Sequence, residues 1–336
     1  MSGTRGNFLL LALVAFSAGC QNPHPSQPDR PVAPIEQFSA SNISTPAFAG
    51  RLYSELREET TGGSTGGDFD VDVAPDGTAL VFSSTRYTTT PKIFVKKIAV
   101  GGLIQKTAGA HQDIQPKFSP DGTRIAYASD REGNFDLMII ATDENAAPWK
   151  LTSAPADEIH PTWSPDGRAI AYCARGPEGS WQLWIIDVET QKRSLLGPGL
   201  YPDWSPDGAY LAFQRPSLRA PGWHGIWIVA ATGGSPREVV TEESWGSIQP
   251  AWAPNSKRLV YGTARSPIAT PADPPHAEDL WVVDLDGHRF QLTDNDCEDY
   301  APAWGLDGRI YFTTHESGSP RIVSLKPSDA FMREGM

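Results

Sequence analysis

Three sets of side chains recur along this chain at intervals that would place each set in one layer of a repeated structure. The first is Asp68, Asp113, Glu158, Gly199, Ser247 and Asp299, acidic in four of six members. The second is Arg86, Arg131, Arg175, Arg215, Arg265 and His315, basic in five and ionisable in the last. Arginine forks recognise carboxylates and phosphates, so the two sets could bind charged ligands or could pair with each other. Repetition in nearly every copy favours pairing that stitches loops together. The third set, Asp70, Gln115, His160, Tyr201, Gln249 and Ala301, holds several possible metal ligands but a single imidazole. Dedicated transition-metal sites usually carry more imidazole or thiolate.

Other chemical motifs are thin. Gly62-Gly63-Ser64-Thr65-Gly66 fits the nucleophile-elbow spacing but lies in a Gly/Thr loop without the strand-to-helix setting that exposes such a serine. His315-Glu316 lacks the second histidine of a zinc helix. Asp294, Asp296, Glu298 and Asp299 could offer oxygens to calcium, yet the spacing lacks the glycine and terminal glutamate of an EF-hand, and a solvated acidic loop is the expectation. No catalytic residue, metal or cofactor is expected. Cys173 falls where other copies hold Ser83 and Ala128 and reads as a small buried hydrophobe, unpaired with Cys297.

The elements that position these sets are announced by six turn signatures: Ala74-Pro75-Asp76-Gly77, Ser119-Pro120-Asp121-Gly122, Ser164-Pro165-Asp166-Gly167, Ser205-Pro206-Asp207-Gly208, Ala253-Pro254-Asn255-Ser256 and Gly305-Leu306-Asp307-Gly308. Proline presets φ, Asp or Asn bonds its own backbone, and glycine accepts the left-handed geometry that reverses the chain. The Asp or Asn positions are separated by 45, 45, 41, 48 and 52 residues. An apolar strand ending in Val73, Phe118, Trp163, Trp204, Trp252 or Trp304 precedes each tip, and an alternating strand carrying Phe82, Tyr127, Tyr172, Phe213, Tyr261 or Phe312 follows it. A third apolar and a fourth, more polar run complete the unit. Short β-branched and aromatic runs of this kind are strands. A period of this length with four strands per unit predicts an all-β, six-bladed β-propeller of four-stranded blades.

The sixth unit lacks a fourth strand, and an uncovered edge invites aggregation. Residues 51–58 are expected to supply it, closing the ring from the N-terminal side. The predicted organisation is a signal peptide at 1–19, a lipid-anchored flexible linker at 20–48, the propeller at 49–327 and a C-terminal tail at 328–336. Thirty prolines, 31 glycines and 11 tryptophans suit many turns and broad aromatic packing between blades. The net charge of −12 argues against a nucleic-acid surface.

Arg5, the apolar run from Phe8 to Phe16 and the small residues Ser17-Ala18-Gly19 before Cys20 read as an export signal too short to span a bilayer. The arrangement resembles a bacterial lipobox, which implies acylation of Cys20, a membrane anchor and, with Gln21 after the cysteine, a place in the periplasm on the outer membrane. The Pro-, Ser-, Asn- and Gln-rich stretch that follows reads as a tether.

Topology puts the loops leaving the second strands and those entering the first strands on one end of the ring, the top. Two of these top loops are enlarged, 215–224 and 264–278, and they supply the candidate partner-binding residues Arg215, Trp223, His224, Pro267, Pro274 and His276.

The unit Ile114-Gln115-Pro116-Lys117-Phe118-Ser119-Pro120-Asp121-Gly122, followed by Ile125-Ala126-Tyr127 and Ser129-Asp130-Arg131, resembles the propeller repeat of the TolB family over residues 50–327. TolB adds an N-terminal α/β domain, whereas 48 residues separate Cys20 from Asp68 here. The resemblance implies a periplasmic, non-enzymatic propeller, expected as a monomer, that binds an envelope protein such as a peptidoglycan-associated lipoprotein. Two other readings stay open. One is a metal-dependent enzyme like the oligogalacturonate lyases, similar propellers in which His and Gln hold a metal near the axis. The other is a sensor of peptides or small ligands on the top face.

Overall fold

The computed structural model describes residues 53–61, 66–143, 147–220, 223–242, 245–264, 278–315 and 319–328. Their strands run in chain order β1 (Tyr53–Glu58), β2 (Asp68–Val73), β3 (Ala79–Ser84), β4 (Lys92–Lys97), β5 (Leu103–Gln105), β6 (Asp113–Phe118), β7 (Arg124–Ser129), β8 (Asp136–Ala141) and β9 (Trp149–Lys150). They continue with β10 (Glu158–Trp163), β11 (Ala169–Arg175), β12 (Trp181–Asp187), β13 (Arg193–Pro198), β14 (Leu200–Trp204), β15 (Tyr210–Pro216), β16 (His224–Ala230) and β17 (Arg237–Val240). The last are β18 (Gly246–Trp252), β19 (Arg258–Ala264), β20 (Leu280–Asp284), β21 (Arg289–Gln291), β22 (Glu298–Trp304), β23 (Ile310–His315) and β24 (Arg321–Pro327). They form six four-stranded antiparallel sheets, five of consecutive strands and a sixth in the order β1-β24-β23-β22. The protein is a six-bladed β-propeller, closed by its N-terminal strand.

Each turn signature forms the tip expected of it. The fourth residue donates its N–H to the first, as in Gly77 to Ala74 and Gly122 to Ser119, both at 2.8 Å. The aspartate accepts two residues on, Asp76 Oδ1 from the Thr78 N–H at 2.9 Å and Asp121 Oδ1 from Thr123 at 3.0 Å. The Ser119 hydroxyl and then the Thr123 N–H hold the Asp121 carboxyl down at about 2.

Six apolar clusters lie one at each boundary between neighbouring blades. The second strands explain why. Successive residues of a strand face opposite sides, and here large ones alternate with small. Ile125 and Tyr127 pack toward the first blade while Ala126 and Ala128 pack toward the third. Ile170 and Tyr172 then fill the space those alanines leave, and Ala171 and Cys173 offer the same room to Leu211 and Phe213. Cys173 is fully buried and unpaired, and burial pushes its thiol pKa upward.

At the closure, β1 pairs antiparallel with β24, Tyr53 opposite Pro327 and Glu58 opposite Val323. The buried Arg309 reaches across it, donating to the Glu55 carbonyl at 2.5 Å and to Ser324 Oγ at 3.0 Å. Ser324 Oγ in turn donates to Glu59 Oε1 at 2.6 Å, and the Glu59 N–H is bonded to the Ile322 carbonyl. Of the expected closing segment, residues 51 and 52 lie outside the described residues. So do Cys20 with the 1–48 leader and linker, the 62–65 glycine loop, Arg265, Pro267, Pro274, His276 and the tail from 329.

Candidate functional site at the propeller axis

The innermost strand of every blade breaks its ladder at the same place. Pairing shifts between Phe69 and Asp72, Ile114 and Lys117, Ile159 and Thr162, Leu200 and Asp203, Ile248 and Ala251, and Tyr300 and Ala303. The bulged residues, Asp70, Gln115, His160, Tyr201, Gln249 and Ala301, have φ of 54, 57, 54, 51, 52 and 49°. A left-handed non-glycine residue costs on the order of 1–3 kcal/mol and persists only where its surroundings enforce it. Six together, meeting around one axis, are a built feature.

A bulge frees a backbone N–H that must find an acceptor. The preceding blade supplies it. Ser83 Oγ accepts from Gln115 at 3.1 Å, Gln214 Oε1 from Gln249 at 2.8 Å, and the Cys173 sulfur takes the N–H of Tyr201. These acceptors come from the second strand. Where that strand carries Ala128 or Gly262 and has nothing to offer, the bulged glutamine does the work. Gln115 Oε1 accepts from His160 at 3.0 Å and Gln249 Oε1 from Ala301 at 2.9 Å. At the closing boundary the equivalent hydroxyl, Thr313 Oγ1, is buried without a partner.

These residues and the prolines after five of them line a small axial cavity of ≈ 70 Å³, together with Val71 and Lys117. His160 is 8% exposed, both its ring nitrogens lack partners, and burial lowers its pKa to about 3. Its ring lies against Tyr201 with centroids 3.7 Å apart. Burial raises Asp70 to about 6, a rise that the Gln115 N–H and the Lys117 charge only partly oppose. Burial likewise raises Asp203 to about 6. Lys117 is drawn to Asp72 at 3.2 Å. Burial works against its ammonium, but Asp72, Asp203 and Asp70 prevail and raise its pKa.

At the top, the acid and arginine sets pair in two blades. Arg86 bonds Asp68, which also accepts Ser84 Oγ at 2.6 Å, and Arg131 lies 3.4 Å from Asp113. In the third blade Glu158 is met by Arg193 from the outermost strand, at 3.0 Å, and Arg175 lies over Trp181. Arg215, whose counterpart is Gly199, stacks 3.7 Å over the Trp227 ring instead. His315 pairs with Glu298 at 3.1 Å. Asp299 is buried, bonded by Thr314 Oγ1 at 2.6 Å and Asn295 Nδ2 at 2.9 Å, while Asp294 and Asp296 stay exposed.

Of the candidate docking residues, Trp223 and His224 are half-buried. Trp223 ties its loop together, its carbonyl accepting from the Ser217 N–H at 2.8 Å. Among the described residues, the large apolar side chains most exposed on the top loops are Tyr87, at 71%, and Leu218, at 75%. Neither was singled out from sequence, because one aromatic or leucine in a polar loop has no pattern. Among the described residues, side chains converge closely enough for a metal at Asp284, Asp286 and His288, on the exposed β20–β21 turn. The axial cavity is lined by one carboxylate, Asp70, and one imidazole, His160.

Residues 58–197 match the family described as the TolB beta propeller domain. That stretch carries TolB-like propeller repeats. The solved structures similar to this propeller include a putative TolB from Agrobacterium tumefaciens, with a TM-score of 0.58 and 20% identity over 78% of this chain and 91% of that one. TolB from Acinetobacter baumannii gives 0.55 and 15% over 79% and 64%. An oligogalacturonate lyase in complex with manganese gives 0.55 and 15% over 84% and 98%. At such identities the likeness is one of fold. Dipeptidyl-peptidase 5 of Porphyromonas gingivalis is 38% identical over 74 residues, 21% of this propeller's chain. The chain spans 10% of the length of that curated relative.

Proposed function

We propose that this TolB-like propeller is a non-catalytic interaction module of the bacterial envelope, docking a partner protein on its top face. The observation that carries the reading is Tyr87 on the β3–β4 loop. Its ring is 71% exposed, braced by Phe94 at 5.9 Å and by the Arg86 guanidinium at 6.0 Å. Arg86 is itself fixed by the buried Asp68. Tyrosine and arginine dominate the energetics of protein interfaces, and a braced pair loses little entropy on docking. Leu218 adds a second apolar contact from the β15–β16 loop. The partner would be an envelope protein, with the peptidoglycan-associated lipoprotein as the type that TolB resemblance suggests. The leader supports a lipid anchor at Cys20 and an outer-membrane, periplasmic location.

Crosslinking in intact cells followed by pull-down tests the reading. Recovery of one envelope protein should fall several-fold in a Tyr87→Ala, Leu218→Asp variant whose melting temperature is unchanged. Equal recovery from the variant would reject the top face as the docking surface. Radiolabelled palmitate incorporation, lost on Cys20→Ala, tests the anchor separately.

A further inference from the structure

We propose that the axial cavity is a binding site for a primary alkylammonium group, whether the end of a lysine side chain or a free amine, with Asp70, His160, Tyr201 and Gln249 around its head. The inference is independent of the docking face, since it rests on the inner walls of the ring.

Size sets the first limit. A cavity of ≈ 70 Å³ holds about five waters, or an ammonium with a short carbon stem. Charge sets the second. Asp70, Asp72 and Asp203 all act on one cation, Lys117, which is engaged by Asp72. Asp70 keeps only a long bond from Ser83 Oγ at 3.4 Å and the help of one backbone N–H. Of the two charged groups that line the cavity, Lys117 is already neutralised by Asp72, whereas Asp70 has no cation in contact, and a cationic ligand supplies the missing charge.

The third observation is His160, more than nine-tenths buried with both nitrogens unsatisfied. Buried polar atoms in native proteins are nearly always bonded, so an imidazole bare at both nitrogens on the wall of a cavity points to a partner within it. The uncharged imidazole offers a lone pair to a donor. An ammonium carries three N–H groups and matches acceptors gathered from His160, Asp70 and the glutamine side chain. The Tyr201 ring adds an aromatic face of the kind that attracts organic cations. Val71, Ala301 and Pro302 add apolar lining that suits the carbon stem. A divalent metal is the poorer fit, because the lining offers one imidazole, one carboxylate and no thiolate.

The test uses the full chain at pH 7.5 with n-butylammonium chloride, n-butanol and sodium butyrate as probes. Butylammonium should move the His160 ring resonances and, at ten times its dissociation constant, raise the melting temperature by about 2–4 °C. Butanol and butyrate should do neither. Asp70→Asn should weaken butylammonium binding at least ten-fold. A capped Gly-Gly-Lys-Gly-Gly peptide separates the sources: equal binding indicates insertion of a partner's lysine, and loss of binding indicates a free amine. The proposal is overturned if butanol acts as strongly as butylammonium. It is equally overturned if the wild-type His160 signals ignore the amine, or if they respond to stoichiometric Mn²⁺ and not to the amine.

Discussion

The side-chain carbonyl of Gln115 accepts the backbone N–H of His160, 3.0 Å away across the boundary between the second and third blades. Gln115 is thereby both a lining residue of the axis and the acceptor for the next blade's bulge. Gln115→Ala would orphan a buried N–H and should cost about 1–3 kcal/mol. The neighbouring repeats suggest a repair. Ser83 performs the same task for the first boundary from the position that Ala128 occupies in the second blade. Adding Ala128→Ser to Gln115→Ala should restore at least half of the lost stability in denaturant titrations. A double variant no more stable than Gln115→Ala would break the equivalence.

Arg309 carries the closure in the same way. Its guanidinium is bound to Ser324 and to the Glu55 carbonyl, so Arg309→Met leaves several buried acceptors empty. Its ion pair with the half-exposed Glu55 adds little, being screened by water. The expected loss is about 2 kcal/mol, with early protease cutting near residues 53–61. Deleting residues 49–60 should be more damaging still, removing a whole strand from a domain whose stability is about 5–15 kcal/mol. Deleting residues 21–45 should leave the melting temperature unchanged. Equal melting of the two truncations would show that β1 contributes nothing to the ring.

The fold was legible because its signals are local: proline and glycine at each tip, and a large-small alternation such as Ile125, Ala126, Tyr127, Ala128 that only a wedge between two blades satisfies. The closing strand followed from counting the strands of the last blade. The axial geometry was less legible. The six positions around it could be aligned, but a left-handed bulge before proline runs against the usual preference of that position for extended backbone. The exchange of labour between Ala128 and Gln115 appears only once the bulged N–H is located. The arginine set misled in part. In the fourth blade Gly199 offers no carboxylate, and Arg215 takes the Trp227 ring; in the third, Glu158 is within reach of Arg193 from an outer strand whose register the sequence does not reveal.

The axial carboxylates make a pH prediction. Asp70 and Asp203 have folded pKa values raised to about 6, above the value near 4 of an unfolded aspartate. Between these values the folded state holds the more protons, so these groups disfavour folding progressively as pH rises through about 4–6. Asp70→Asn should therefore raise stability at pH 7.5 by about 1–2 kcal/mol, less than the full shift implies because water enters the cavity. At pH 4 it should change nothing. Thermal unfolding of both proteins from pH 4 to 8 provides the check, and a destabilised variant at pH 7.5 would mean that the Asp70 carboxylate is already compensated.

His160 must tilt the profile the other way. Its folded pKa is lowered to about 3, below the unfolded value near 6.5, because the buried ring has no counter-charge in contact. In the window between, the unfolded state binds the more protons, and the stability contributed by an uncharged His160 is lost as pH falls from about 6.5 toward 3. In wild type this loss opposes the gain from Asp70 and Asp203 over the same range. His160→Gln removes the loss while keeping a side chain that can hydrogen-bond, so its stability relative to wild type should increase steadily from pH 7 to pH 4. The His160 ring signals in wild type should stay unchanged down to about pH 4.5. A titration midpoint near 6.5, or a His160→Gln curve parallel to wild type, would show that the ring is not desolvated.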